Sequence, residues 1–174
     1  MSSEARDNRQ SGSSSDERNR PLLDELNARA AWFAARKTRP IWVRLLERPE
    51  LVKTIEGDQQ VPAGTYLCQG EAGDIWPQAA DRLRQKYRFT MERNALGMTK
   101  CWPRDDGAEV LAIEVDRPFQ IWGEWGLLEG KAGDFALKNL ADRGTPYPLD
   151  IWIVDRKHFE ATYERLSGDR SPSA

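Results

Sequence analysis

The sequence predicts an α+β fold: two similar β-rich repeat units, each ending in a short helix, preceded by an amphipathic N-terminal helix. Three observations predict it. An apolar stripe with helical spacing runs from Pro21 to Lys37, short β-branched and aromatic runs divided by Gly and Pro follow it, and the second half of the chain replays the first.

Residues 1–20 carry serines among charged and amide side chains with no large apolar residue after Met1, so they are expected to be a disordered tail. The same composition marks 167–174. In the segment 21–38, Leu22, Leu26, Ala30 and Phe33 share one stripe, Leu23 and Ala34 widen it, and Pro21 suits a first-turn position. The first unit, 39–93, opens with Ile41-Trp42-Val43-Arg44-Leu45-Leu46, where Ile41, Val43 and Leu45 alternate onto one face. Glu56-Gly57-Asp58 and Pro62-Ala63-Gly64 signal turns, and Ala79 to Tyr87 reads as a short helix with Leu83 and Tyr87 one turn apart. Residues 94–107 are expected to link this unit to the second, 108–166, whose last helix is expected over Asp155 to Leu166.

The repeat is legible residue by residue. Glu47-Arg48-Pro49 recurs as Asp116-Arg117-Pro118, and Ala63-Gly64-Thr65-Tyr66 as Ala132-Gly133-Asp134-Phe135, both at an offset of 69. Asp74-Ile75-Trp76 recurs as Asp150-Ile151-Trp152, with Leu83 matching Phe159 and Tyr87 matching Tyr163, at an offset of 76. The difference, 76 − 69 = 7, is one insertion between Phe135 and Asp150, where Lys138 to Pro148 has the composition of a surface loop.

The second unit resembles a family of small bacterial and phage domains named for a Pro-Gly-Asp-Tyr-Gly motif. The resemblance rests on Ala132-Gly133-Asp134-Phe135, on Trp152 followed by Val154, and on the closing Phe159-Glu160-Ala161-Thr162-Tyr163-Glu164, and covers about residues 119–165. Ala132 stands for the motif proline, Phe135 for its Tyr, Ala136 for its last Gly, and Ile153 for the proline usual after the Trp. The first unit keeps Trp76-Pro77 but has Thr65 for the Asp, as a diverged copy would. The resemblance implies a bacterial or phage-type protein and assigns no catalytic or ligand residue.

Composition excludes several classes. The formal net charge of −2 offers no general attraction to a polyanion. Residues 41–100 carry 9 basic and 8 acidic groups and 101–166 carry 8 and 13, so nucleic acid is disfavoured as a partner. No stretch approaches the roughly 18 apolar residues of a membrane span, and the polar start lacks a signal-peptide core, which predicts a cytoplasmic protein without a membrane partner. Cys68 and Cys101 belong to no CxxC pair and read as packed thiols, so neither a metal site nor any cofactor is expected.

Candidate chemistry is sparse. The only histidine, His158, lies among Arg156, Lys157 and Glu160 and reads as part of a solvated helix face, as do Arg82, Arg84, Lys86 and Arg88. Asp74 and Asp150 read as capping or turn residues, and Trp76 and Trp152 as a core anchor in each unit. Catalytic candidates are the carboxylates Glu114, Glu124 and Asp134, which would need to converge for acid and base roles. Trp122 and Trp125 are candidate binding residues, because strand alternation across this Gly-bounded stretch sends them to opposite faces and exposes one. The expected function is therefore a non-enzymatic binding or adaptor module, leaning away from an enzyme, whose partner would be another protein. The alternative is a small carboxylate-dependent hydrolase with its site between the repeats.

Overall fold

In the computed structural model, which describes residues 14–106 and 108–166, helices and antiparallel sheets mix. Helix α1 (Ser15–Ala28) is followed by β1 (Phe33–Lys37), β2 (Ile41–Leu45), the hairpin β3 (Glu50–Thr54) and β4 (Gly57–Val61), β5 (Tyr66–Gly70), β6 (Ile75–Gln78), α2 (Ala80–Lys86) and β7 (Tyr87–Arg93). Then come β8 (Thr99–Pro103), β9 (Glu109–Glu114), the hairpin β10 (Phe119–Gly123) and β11 (Gly126–Gly130), β12 (Phe135–Asn139), β13 (Ile151–Val154), α3 (Arg156–Thr162) and β14 (Tyr163–Arg165). A 3-10 turn at Leu140–Asp142 begins the loop between β12 and β13, which the Gly and Pro content of that stretch predicts.

Two five-stranded antiparallel sheets organise the chain, in the orders β6-β5-β2-β8-β7 and β13-β12-β9-β1-β14. The first draws all its strands from 41–103. The second takes its strands from 109–165 and imports β1, which lies between β9 and β14 with Ala35 opposite Val110 on one side and Arg165 on the other. Ile41, Val43, Cys68, Leu83 and Cys101 are buried beneath the first sheet, and Ala35, Ala112, Phe135, Leu137 and Phe159 beneath the second. Helix α1 seals a further cluster, in which Leu23 and Leu26 pack with Ile113, Val115, Phe119 and Ile121.

The two hairpins cross where glycine is required. A Cβ on Gly57 would lie 2.6 Å from the Leu127 carbonyl oxygen, and one on Gly126 would lie 2.8 Å from that of Asp58. Both glycines have positive φ, 150° and 153°, so conformation and close approach demand the same residue. Glu129 N–H donates to the Glu56 carbonyl and Gln60 N–H to that of Trp125, tying the hairpins backbone to backbone.

Several sequence expectations need correction. The N-terminal helix begins at Ser15, inside the stretch expected to be a tail, and ends at Ala28; residues 1–13 and 167–174 lie outside the described residues. Ser14 caps the helix, accepting from Glu17 N–H, and Pro21 sits inside it. Ala30 at φ 50° turns the chain out of the helix, and Phe33 to Lys37 form a strand because both ladder partners, β9 and β14, satisfy their backbone groups. The stripe through Ala30 and Phe33 is a coincidence of spacing that tertiary pairing overrides. The expected linker 94–107 contains β8, an interior strand of the first sheet. The last helix stops at Thr162, after which Tyr163 to Arg165 pair with β1. Leu45 is 48% exposed at its strand end, and Leu46 takes the buried place instead.

Asp155 caps α3 by accepting from Lys157 N–H. Asp155→Ala is expected to cost about 1 kcal/mol, the usual worth of an N-cap. A urea titration of the variant beside the parent protein checks it; an unchanged midpoint would deny the cap its role.

Candidate functional site

A cavity of about 170 Å³ opens between the sheets, with walls from β1, the start of β6, α2, the hairpin tips, β13 and α3. Its polar lining includes Lys37, Glu56, Asp74, Lys86, Asp150 and His158, and its aromatic lining includes Trp76, Tyr87, Trp125, Trp152 and Tyr163. Neither serine nor cysteine lines it among the described residues.

Lys37 ends β1 and is 8% exposed. Its ammonium lies 4.0 Å from the ring centre of Trp76 and 5.7 Å from that of Tyr163. Among the described residues it has no hydrogen-bond acceptor or ion-pair partner. Burial pushes this amine down to about 8, against the attraction of Asp74. Lys86 stands over Trp152 at 4.4 Å, and burial lowers it too, although Asp150 lies 3.6 Å away. Each tryptophan thus carries a lysine on its face, an arrangement attractive through the ring quadrupole.

Asp74 precedes β6. Its carboxylate folds over Gly70, where a Cβ would lie 2.2 Å from Oδ1, so only glycine leaves room for it. Oδ1 is buried and has no hydrogen-bond partner among the described residues. His158 Nε2 approaches it only to 3.9 Å, beyond hydrogen-bond distance, while His158 Nδ1 lies 3.2 Å from Asp155 Oδ2. The Asp155 carboxyl is raised by burial, but hydrogen bonds from Lys131 and His158 outweigh this and hold it below the usual carboxylate range.

Asp150, preceding β13, is differently placed. Asn139 Nδ2 donates to its Oδ2 at 2.7 Å, and Arg82 and Lys86 approach at 3.4 and 3.6 Å. The cavity therefore holds one carboxylate that is fully partnered and one that is not.

Of the candidates from sequence, Glu124 and Trp125 line the cavity and Glu114, Asp134 and Trp122 fall elsewhere. Glu114 pairs with Arg156 on the surface. Asp134 is buried in a turn, accepting from the backbone N–H groups of Lys131 and Arg156, which is the turn role its position after Gly133 suggests. Arg156 thus holds both, and neither lines the cavity. Glu124 stands at the rim with Arg82, 3.3 Å away. The three carboxylates do not converge. Trp122 is covered by α1: its backbone N–H and C=O bond to the Asn19 amide, and the Arg18 guanidinium lies 4.3 Å from its ring centre. Trp125 packs on Leu46, Val52 and Val61 and lines the cavity. Both are half-buried, so neither is the exposed anchor expected.

Four residues of the cavity have an unremarkable reading in the sequence. Lys37 falls at the end of the expected helix, Asp74 in a turn, and His158 and Lys86 on solvated faces. The last two are 19% and 14% exposed and look into the cavity. Cys68 and Cys101 are buried thiols, and burial pushes both upward, Cys101 to about 11.

The chain matches no family model, no curated protein and no solved structure. Among the described residues there is no helix long and apolar enough to cross a membrane, and no cluster of three or more His, Cys, Asp or Glu suited to a metal.

Proposed function

We propose that the protein is a non-enzymatic binding module whose ligand is a small molecule held in the cavity between two duplicated units. The observation that carries this reading is that one cavity holds a buried ammonium, Lys37, with no hydrogen-bond acceptor and a buried carboxylate oxygen, Asp74 Oδ1, with no hydrogen-bond donor among the described residues. Each would cost several kcal/mol if left so, and a ligand that meets both would recover it. Duplication is supported by the element bounds. β3, β4 and β5 recur as β10, β11 and β12 at the smaller repeat offset, and β6 and α2 recur as β13 and α3 at the larger one. The kinship of the second unit with Pro-Gly-Asp-Tyr-Gly domains belongs to the same proposal. Under it, Asp74 and Asp150 are one position seen twice.

This reading takes a small ligand in the cavity in place of the expected protein partner at Trp122, where Asn19 and Arg18 of α1 already contact that residue. Hydrolysis by Glu114, Glu124 and Asp134 has no support from their separate environments, and the described cavity wall offers no serine or cysteine nucleophile.

The test is a screen of small polar molecules by 1H-15N correlation spectroscopy, with the indole N–H signals of Trp76 and Trp152 assigned through Trp76→Phe and Trp152→Phe. Ligands that move these two signals in a saturable way are the expected result. A screen whose only binders move signals elsewhere would overturn the cavity as the site.

A further inference from the structure

We infer that the cavity selects a small zwitterion, with an ammonium on Asp74 and a carboxylate on Lys37, as in a free amino acid. This rests on the cavity being the binding site, and it follows from how the two halves of the cavity differ.

At the second-unit end, the carboxylate Asp150 meets Asn139 from β12, and Arg82 and Lys86 from α2. At the first-unit end, the repeat places Gly70 where the second unit has Asn139, and His158 is the counterpart of Arg82. Both exchanges remove a donor from the carboxylate. The amide is lost outright, and the shorter imidazole stops 3.9 Å from Asp74 Oδ1. Gly70 at the same time supplies the space in which the Asp74 side chain lies. A carboxylate that lacks both of these donors of its counterpart, and whose Oδ1 is buried without a hydrogen-bond partner among the described residues, is suited to an external donor.

The acceptor side is equally specific. Lys37 comes from the imported strand β1, so the first-unit end of the cavity is completed by a residue of the second sheet. Trp76 and Tyr163 attract its ammonium but accept no conventional hydrogen bond from it, leaving three N–H donors for a ligand. Opposite charges on the ligand satisfy both ends, whereas an amine alone leaves Lys37 buried and unpaired, and a carboxylate alone leaves Asp74 so. The cavity volume of about 170 Å³, near that of a 150 Å³ cavity that holds benzene, limits the whole molecule to about six carbons. Leu128, Val154, Trp76 and Trp152 offer it an apolar surround.

The experiment titrates the full-length protein with L-leucine and γ-aminobutyrate as zwitterions, isopentylamine and 4-methylpentanoate as single-charge analogues, and 2-pyrrolidone as a neutral donor–acceptor, reading the Trp76 indole signal. Expected is saturable binding of at least one zwitterion, with the single-charge analogues weaker by about tenfold to a hundredfold, the worth of a lost charge-assisted hydrogen bond. Lys37→Met and Asp74→Asn, each checked for native near-UV circular dichroism, should weaken the zwitterion by a similar factor. If an amine, a carboxylate or pyrrolidone moves Trp76 as well as the zwitterions do, the zwitterion inference falls and the cavity remains the site. If no probe moves Trp76 or Trp152, both fall.

Discussion

A chain lacking residues 1–38 is expected to lose the cooperative unfolding transition of the full protein. Two losses combine. Without α1, the cluster of Ile113, Phe119 and Ile121 loses Leu23 and Leu26, which are 1% and 0% exposed. Truncating even one such leucine to Ala typically costs about 2–5 kcal/mol. Without β1, strand β14 loses its one ladder partner among the described residues and β9 gains a bare edge, so two rows of backbone groups are unmet. Against a total stability of about 5–15 kcal/mol, the sum leaves no margin. The control lacks residues 1–13 only and retains Ser14, which caps α1. Urea unfolding followed by tryptophan fluorescence gives the readout. If the chain lacking 1–38 kept a single transition at the parental midpoint, β1 and α1 would be dispensable and the described topology would be wrong. Because the first sheet is continuous over 41–103, hydrogen exchange should show protection lost earliest and most completely in β9, β12 and β14.

Much of this architecture is legible in the sequence because the residues that set it act locally. Gly57 and Gly126 mark their hairpins, Leu83 and Phe159 mark the buried sides of α2 and α3, and the insertion in the second unit falls in the loop that opens with the 3-10 turn. What escapes is long-range. Phe33-Ala34-Ala35-Arg36-Lys37 carries a spacing compatible with helix, and only β9 and β14, both in the distant second half of the chain, make it a strand. Similarly, nothing in Thr99 to Pro103 distinguishes a linker from a strand until β2 and β7 flank it.

The site is less legible for the same reason. Lys37, Asp74 and His158 come from three separate elements, and each has an innocuous local reading. A signal is nevertheless present in the proposed repeat. Under the proposed duplication, the positions beside Asp74 and Asp150 include Gly70 against Asn139 and Arg82 against His158. Trp122 misleads because alternation within its strand says nothing of the helix that comes to lie over it.

Lys37→Met is expected to stabilise the protein by about 2 kcal/mol at pH 7, the burial penalty of the charge less its cation–π attraction, and by nothing near pH 10.5. The amine is lowered from 10.5 to about 8, burial being the largest cause. Between those values the unfolded chain still binds the proton that the folded chain has released, so the Lys37 contribution raises stability as pH rises from 8 to 10.5. Below pH 8 the full penalty stands, about 3 kcal/mol for an amine moved from 10.5 to about 8. Methionine fills a similar volume without the charge, and the cation–π attraction forfeited at Trp76, about 1 kcal/mol, offsets part of the gain. The buried Tyr87 and Tyr163 hold their protons more tightly than in the unfolded chain and erode stability in alkali in both proteins, and Cys68, whose upward shift the Lys37 charge opposes, does so somewhat more in the variant. The difference between the two urea-derived stability curves, measured across neutral and alkaline pH, therefore reports Lys37 together with its coupling to Asp74 and Cys68. A variant less stable than the parent at pH 7, or a difference flat in pH, would show that the ammonium has a partner after all. A gain of stability joined to a loss of ligand binding would instead identify Lys37 as a charge held at a cost to the fold, which is the expected behaviour of a residue positioned for something outside the chain.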